Sequence, residues 1–131
     1  MIGLDTNLLV RYFAQDDPVQ SAVATDVMER RLTQHEPGFI SVVAMAETVW
    51  VLARAYRLGK EGIVNAVERM LRAETLVVES EREVFSAMTA LREGRGEFGD
   101  ALIGALSARA SCSRILTFDR QALRLPGFEL P

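Results

Sequence analysis

The chain has 131 residues, 49% of them apolar and 25% charged, with a formal net charge of −3 at pH 7. That length suits one domain and allows about two-thirds of the unfolded surface to be buried. One cysteine and one histidine exclude an internal disulfide and argue against a zinc site or a Ser-His or Cys-His nucleophile. Cys112 is expected as a small buried hydrophobe at a helix end, and a lone cysteine fits a reducing cytoplasm. His35 falls in the polar turn Gln34-His35-Glu36-Pro37-Gly38. No basic segment precedes an apolar core, so no secretory signal is expected. The longest apolar run is too short and interrupted for a membrane span of about 20 residues.

In chain order, Ile2 to Leu4 is expected to form a buried strand ending at Asp5, with a helix from Thr6 to Phe13. Asp16-Asp17-Pro18 is a break and restart, with Asp at the cap and Pro near the first helical position. Pro18 to Thr33 is an expected helix that buries Val19, Ala22, Val23, Val27 and Met28 and turns Asp26, Glu29, Arg30 and Arg31 outward. Gly38-Phe39-Ile40 is a second strand. Ser41 caps a helix from Val42 to Tyr56, apolar on almost every face and therefore central. Lys60 to Arg72 is an amphipathic helix, and Thr75 to Val78 a β-branched third strand. Ser80 caps a helix from Glu81 to Arg92. A glycine-dense loop, Gly94 to Gly99, leads to Asp100 and a small-residue helix from Ala101 to Ala110. Arg114 to Phe118 is the fourth strand, and Gly127-Phe128-Glu129 a short fifth. Strands separated by one or two helices imply right-handed crossovers, a parallel sheet and a three-layer α/β sandwich in a single domain spanning residues 1–131.

Four acids stand apart. Asp5 is the only charge between Met1 and Val10, Glu47 the only one from Ser41 to Ala53, and Asp100 the only one from Phe98 to Ala108. Asp119 follows the apolar run Ile115-Leu116-Thr117-Phe118 directly. A carboxylate in a low-dielectric setting costs several kcal/mol, roughly, unless it is paired or metal-bound. Asp5 and Asp119 each follow a strand, so both are expected at the carboxyl edge of the sheet, where open α/β sheets bind ligands. Helix capping is the simpler reading of Asp5, Asp119 and Asp100. An ion pair with Arg54 or Arg11 is the simpler reading of Glu47. Together, hard oxygen donors without His or Cys suit Mg²⁺ or Mn²⁺, with Thr6, Asn7 and Thr117 as nearby polar support. Two such ions can activate water against a phosphodiester. They would also bring the net charge from −3 to +1, leaving fifteen Lys and Arg, only Lys60 being Lys, to meet an anion. Arg11, Arg95 and Arg120, near the expected edge, are the candidates for contacting it.

The stretches Leu4-Asp5-Thr6-Asn7-Leu8-Leu9-Val10-Arg11, Ala46-Glu47-Thr48-Val49-Trp50-Val51-Leu52, Phe98-Gly99-Asp100-Ala101-Leu102-Ile103 and Thr117-Phe118-Asp119-Arg120 resemble the PIN domain, and within it the VapC-type toxins of toxin–antitoxin pairs. The resemblance implies a parallel sheet of order 3-2-1-4-5 and a Mg²⁺- or Mn²⁺-dependent ribonuclease. It carries the metal-ligand role onto Asp5, Glu47, Asp100 and Asp119 and a supporting role onto Thr6, Asn7 and Thr117. Glu97 stands where many relatives have Asp, and surface Glu is an equal reading of it. The resemblance further implies a cognate antitoxin partner and a homodimer, to which Trp50 and Tyr56 on an apolar-rich helix add support. Two alternatives remain at this stage: a PIN-like module that binds RNA or protein without cutting, and a phosphoacceptor receiver domain. A receiver should carry a Lys after a late strand, whereas Lys60 lies at a helix start.

Overall fold

The computed structural model describes residues 1–131, with six α-helices and five short strands, all paired in parallel. They form two compact units, residues 1–79 and residues 80–131. The class is α/β, as the alternation of elements implies.

In the first unit, β1 (Ile2–Gly3), β2 (Gly38–Ile40) and β3 (Leu76–Val78) form a sheet of order β1-β2-β3. Gly38 lies opposite both Ile2 and Leu76, and Ile40 opposite Val78. The pairing runs past the strand ends: Leu4 N donates to Phe39 O at 2.9 Å, and Glu79 N to Ile40 O at 2.9 Å. Gly38 permits close packing where it stands. A Cβ there would come within 2.7 Å of Leu4 Cδ1 and 2.8 Å of Leu32 Cδ1, so the bare backbone lets two core leucines close over β2.

α1 (Thr6–Ala14) follows Asp5 directly, and Gln15 ends it in the left-handed region with φ 53°. α2 (Pro18–Asp26) starts as expected, with Asp17 Oδ1 accepting from Val19 N and Gln20 N. It then loosens into a π-helical stretch, Val27–Arg31. Its buried face is not the expected one. Ser21 and Ala24 are buried, while Val19 is 74% exposed and Val23 50%. Small side chains lie toward α1, and the Ser21 hydroxyl donates to the Arg11 carbonyl at 2.9 Å, which fixes the helix rotation.

α3 (Val42–Arg54) is capped twice. Ser41 Oγ accepts from Ala44 N at 3.1 Å, and Glu79 Oε1 accepts from Val42 N at 2.7 Å. It buries Ala44, Met45, Thr48, Val49 and Leu52 but leaves Val43, Glu47 and Trp50 exposed. The expectation of a helix enclosed on almost every face is therefore corrected: its apolar residues outnumber the positions one packed face covers. It ends at Arg54, two residues early, and Gly59 opens α4 (Lys60–Arg72). α4 buries Ile63, Val64, Ala66, Val67 and Met70 along one face.

In the second unit, α5 (Glu81–Arg92) packs against α6 (Phe98–Arg109). β4 (Ile115–Leu116) pairs with β5 (Phe128–Glu129), and a 3₁₀ turn, Arg120–Arg124, lies between them in sequence. The two sheets contain the 3-2-1 and 4-5 runs of the expected order. Small residues on α6 do admit close packing: a Cβ on Gly104 would lie 3.0 Å from the Phe128 ring. Ser80 takes the position before α5 without capping it. Its φ is 56°, and its hydroxyl accepts from Arg109 Nη1 at 3.0 Å. Cys112 is exposed rather than buried, because α6 ends at Arg109 and leaves it in the following turn. No helix is long and apolar enough to cross a membrane.

Candidate active site

Asp5 stands at the carboxyl end of β1 and the amino end of α1. Its Oδ1 accepts from Thr6 N at 2.8 Å. Three residues into the helix the chain is in the core, with Leu9 and Val10 buried, so α1 is anchored close to Asp5. Thr6 is buried, whereas Asp5 and Asn7 are exposed. Glu47 lies on the outward face of α3. Asp5, Thr6, Asn7, Glu47, Arg11 and Tyr56 line one pocket of about 280 Å³. Neither Asp5 nor Glu47 makes an ion pair, so the pairing of Glu47 with Arg11 or Arg54 is not found.

Arg11 is engaged elsewhere. Its Nη1 lies 2.9 Å from both carboxylate oxygens of Asp16, and its Nε donates to Gln20 Oε1 at 2.9 Å. The same Nη1 donates to the Tyr56 hydroxyl at 3.1 Å, and that hydroxyl donates to Asp16 Oδ2 at 2.6 Å. The three groups shift one another. The hydrogen bond from Tyr56 holds the Asp16 carboxyl below its ordinary range; burial opposes it, and the bond from Arg11 adds to the lowering. The bond to Asp16 pushes the Tyr56 phenol up, and burial adds to it.

In the second unit, Asp100 is half-buried in the first turn of α6. Burial pushes its carboxyl above the ordinary range, and the charges of Asp119 and Glu97 push it further. Asp119 is exposed and caps the 3₁₀ turn, Oδ1 accepting from Gln121 N at 2.9 Å. Its main-chain amide donates to Thr117 Oγ1 at 3.0 Å. Glu97 is exposed at the cap position of α6 and bonds no backbone amide there. Arg95 Nε pairs with Glu93 at 2.8 Å, and Arg120 is exposed.

One premise of the sequence reading is corrected. Asp5, Glu47 and Asp119 are exposed, and only Asp100 is partly withdrawn from water. The acids sit at strand ends and outward helix positions, and several of their apolar neighbours are exposed too: Phe118, beside Asp119, is 89% exposed and Trp50 61%. The large cost of four buried charges therefore does not arise. The simpler capping reading holds in geometry for Asp5 and Asp119 and does not hold for Asp100. A cap uses one carboxylate oxygen, so it leaves Asp5 and Asp119 able to bind a ligand with the other.

Within neither unit do three His, Cys, Asp or Glu side chains gather at metal-ligand spacing. The first unit brings Asp5 and Glu47 to one pocket, and the second brings Asp100 under the influence of Asp119 and Glu97. Sequence reasoning missed two partners. Glu79 ends β3 and caps α3, and the signal for it was an acid following a β-branched run. Asp16 was read only as part of a helix break, and nothing local marks it as the counter-ion of Arg11. Residues 2–127 match the PIN domain family, and no curated protein matches the chain.

Proposed function

Because the chain belongs to the PIN domain family, a three-layer α/β/α fold whose members are usually nucleases, we propose that it is a Mg²⁺- or Mn²⁺-dependent endoribonuclease. In this reading it hydrolyses RNA phosphodiester bonds and is the toxin of a VapC-type toxin–antitoxin pair. The observation that carries the reading is the pocket where Asp5 and Glu47 face solvent without a cationic partner. An exposed ion pair would contribute about 0–1 kcal/mol. Its absence beside Arg11, which is committed to Asp16, leaves both carboxylates free for an added cation.

The donor set fits such a cation: all oxygen, with no His or Cys nearby, as Mg²⁺ and Mn²⁺ prefer. Asp5 and Glu47 in the first unit, and Asp100 and Asp119 in the second, are the residues that would bind divalent ions. A bound divalent ion would supply an activated water and charge stabilisation at the phosphate. The chain's own residues do the positioning. Thr6 N holds Asp5 Oδ1 and leaves Oδ2 for a ligand. Gln121 N holds Asp119 Oδ1, and Thr117 Oγ1 accepts from the Asp119 main-chain amide. Burial and the charges of Asp119 and Glu97 push the Asp100 carboxyl above its ordinary range, and a neighbouring positive charge would favour its ionised form. The receiver alternative lacks its lysine, since Lys60 opens α4.

The same reading includes a cognate antitoxin and a homodimer, the latter supported by Val43 and Trp50, exposed on α3. Incubation of the pure protein with total cellular RNA tests it. Cleavage in Mn²⁺ that stops in EDTA is expected, and intact RNA in both contradicts the nuclease assignment.

A further inference from the structure

We propose that Tyr56 forms a nucleobase-binding subsite beside Asp5 and Glu47, its ring a stacking platform and its hydroxyl an anchor. The ligand class rests on the nuclease reading above; the geometry of the subsite does not.

Tyr56 lies just beyond α3, where the chain turns through Arg57 in the left-handed region, with φ 53°. It is 37% exposed and is the only aromatic side chain lining the pocket that holds Asp5 and Glu47. Its hydroxyl is fully occupied, donating to Asp16 and accepting from Arg11. What remains to meet a ligand is the ring. The two hydrogen bonds hold that ring in place from its far end, so little side-chain freedom is left to lose on binding.

Charge decides what the ring receives. Arg11 is the only cation lining the pocket, and Asp16 holds it through both carboxylate oxygens. Asp5 and Glu47 are unpaired. A phosphate would be drawn to a cation held by Asp5 and Glu47 rather than to the guanidinium that Asp16 neutralises. A flat, uncharged group meets an aromatic face, with Val10 and Val51 lining the same pocket. In a single-stranded nucleic acid that group is the base, and stacking on it is tolerant of sequence because every base has a π-face. Tyr56 thus holds a base next to the acids, and the adjoining backbone is left to them.

The test is binding of a fluorescein-labelled RNA hexamer by anisotropy, with Mn²⁺ present and Asp100→Asn as the common background. A hexamer of equal charge with abasic sites throughout is the control. Tyr56→Leu should weaken binding of the base-bearing hexamer about tenfold, within the range stacking supplies, and leave abasic binding unchanged. Tyr56→Phe, which keeps the ring and loses both hydrogen bonds, should retain most of the preference for bases. Equal weakening on both hexamers, no weakening, or a Phe variant as indifferent to bases as the Leu variant overturns the subsite. If Tyr56→Leu does not fold, Tyr56→Phe carries the test alone, and loss of its preference for bases overturns the proposal. The two readings separate cleanly. A wild type that prefers base-bearing RNA but never cuts it removes the nuclease and keeps the subsite. A wild type that cuts RNA while its Tyr56 variants bind as it does keeps the nuclease and removes the subsite.

Discussion

Arg11 Nη1 lies 2.9 Å from both carboxylate oxygens of Asp16, and this pairing ties the last turn of α1 to the break that follows it. The guanidinium is therefore committed before any RNA arrives, whereas Arg120 is exposed and makes no ion pair. Losing one phosphate contact lowers the salt slope of nucleic-acid binding by about 1. Arg120→Ala is expected to show that loss. Arg11→Ala should leave the slope unchanged and lower the melting temperature slightly, since it frees Asp16 from its partner. Binding titrations from low to moderate salt check both, and a slope change in Arg11→Ala alone would reverse the two assignments.

Asp100 gives the protein without metal a characteristic pH dependence. Its folded-state carboxyl titrates above the ordinary carboxylate range, through burial first and then the charges of Asp119 and Glu97. Between the unfolded and the raised folded-state titration the folded form binds more protons than the unfolded one, so stability falls as pH rises through that window. The start of α6 would favour a carboxylate by about 0.3–1 kcal/mol through the helix dipole, in opposition to burial and like charge. Asp100→Asn should thus raise the melting temperature in EDTA at neutral pH, by less than about 1 kcal/mol once solvent screening is allowed for. The gain should vanish near pH 3. Saturating Mn²⁺ should reverse the ranking, because the wild type gains more binding energy in its folded state. Melting curves in EDTA at two pH values and in Mn²⁺ check the three signs, and a variant no more stable than wild type in EDTA at neutral pH would contradict the strained carboxyl.

The outward face of α3 carries Val43, 68% exposed, and Trp50, 61% exposed, on either side of Glu47. Isolated apolar side chains on a surface are ordinary, but a tryptophan on an adjoining apolar stripe suits association with a second copy. A homodimer at micromolar concentration is expected, and Trp50→Ser should weaken the dimer at least tenfold while leaving the fold intact. Sedimentation velocity across a concentration series decides this, with a wild type that stays monomeric at high micromolar concentration as the contrary result.

Local patterning made α4 and β2 legible. Ile63, Val64, Val67 and Met70 recur at helical spacing against polar neighbours, and α4 begins and ends where that pattern does. The caps Asp17 and Ser41 were legible for the same reason, since each acts on amides two or three residues away. The rotation of α2 was not. Its valines and its small residues offer two competing faces, and the choice depends on the Ser21 bond to an Arg11 carbonyl ten residues earlier. The four acids were identifiable as a set because each is the sole charge of an apolar run. Their exposure was not, because sequence neighbours say which element an acid sits on, but not which way it points. Tyr56 and Arg11 are 45 positions apart, and no local signal joins them.

The measurement that bears most directly on the whole account is the cleavage rate of a single-stranded RNA in Mn²⁺ by wild type, Asp5→Asn, Glu47→Gln, Asp100→Asn, Asp119→Asn and, as control, Cys112→Ser. The account predicts metal-dependent cleavage by wild type and Cys112→Ser and a rate at least about 100-fold lower in each acid variant, the order of loss expected when a group acting directly in the chemistry is removed. An Asp100→Asn protein that cuts RNA at the wild-type rate would contradict it.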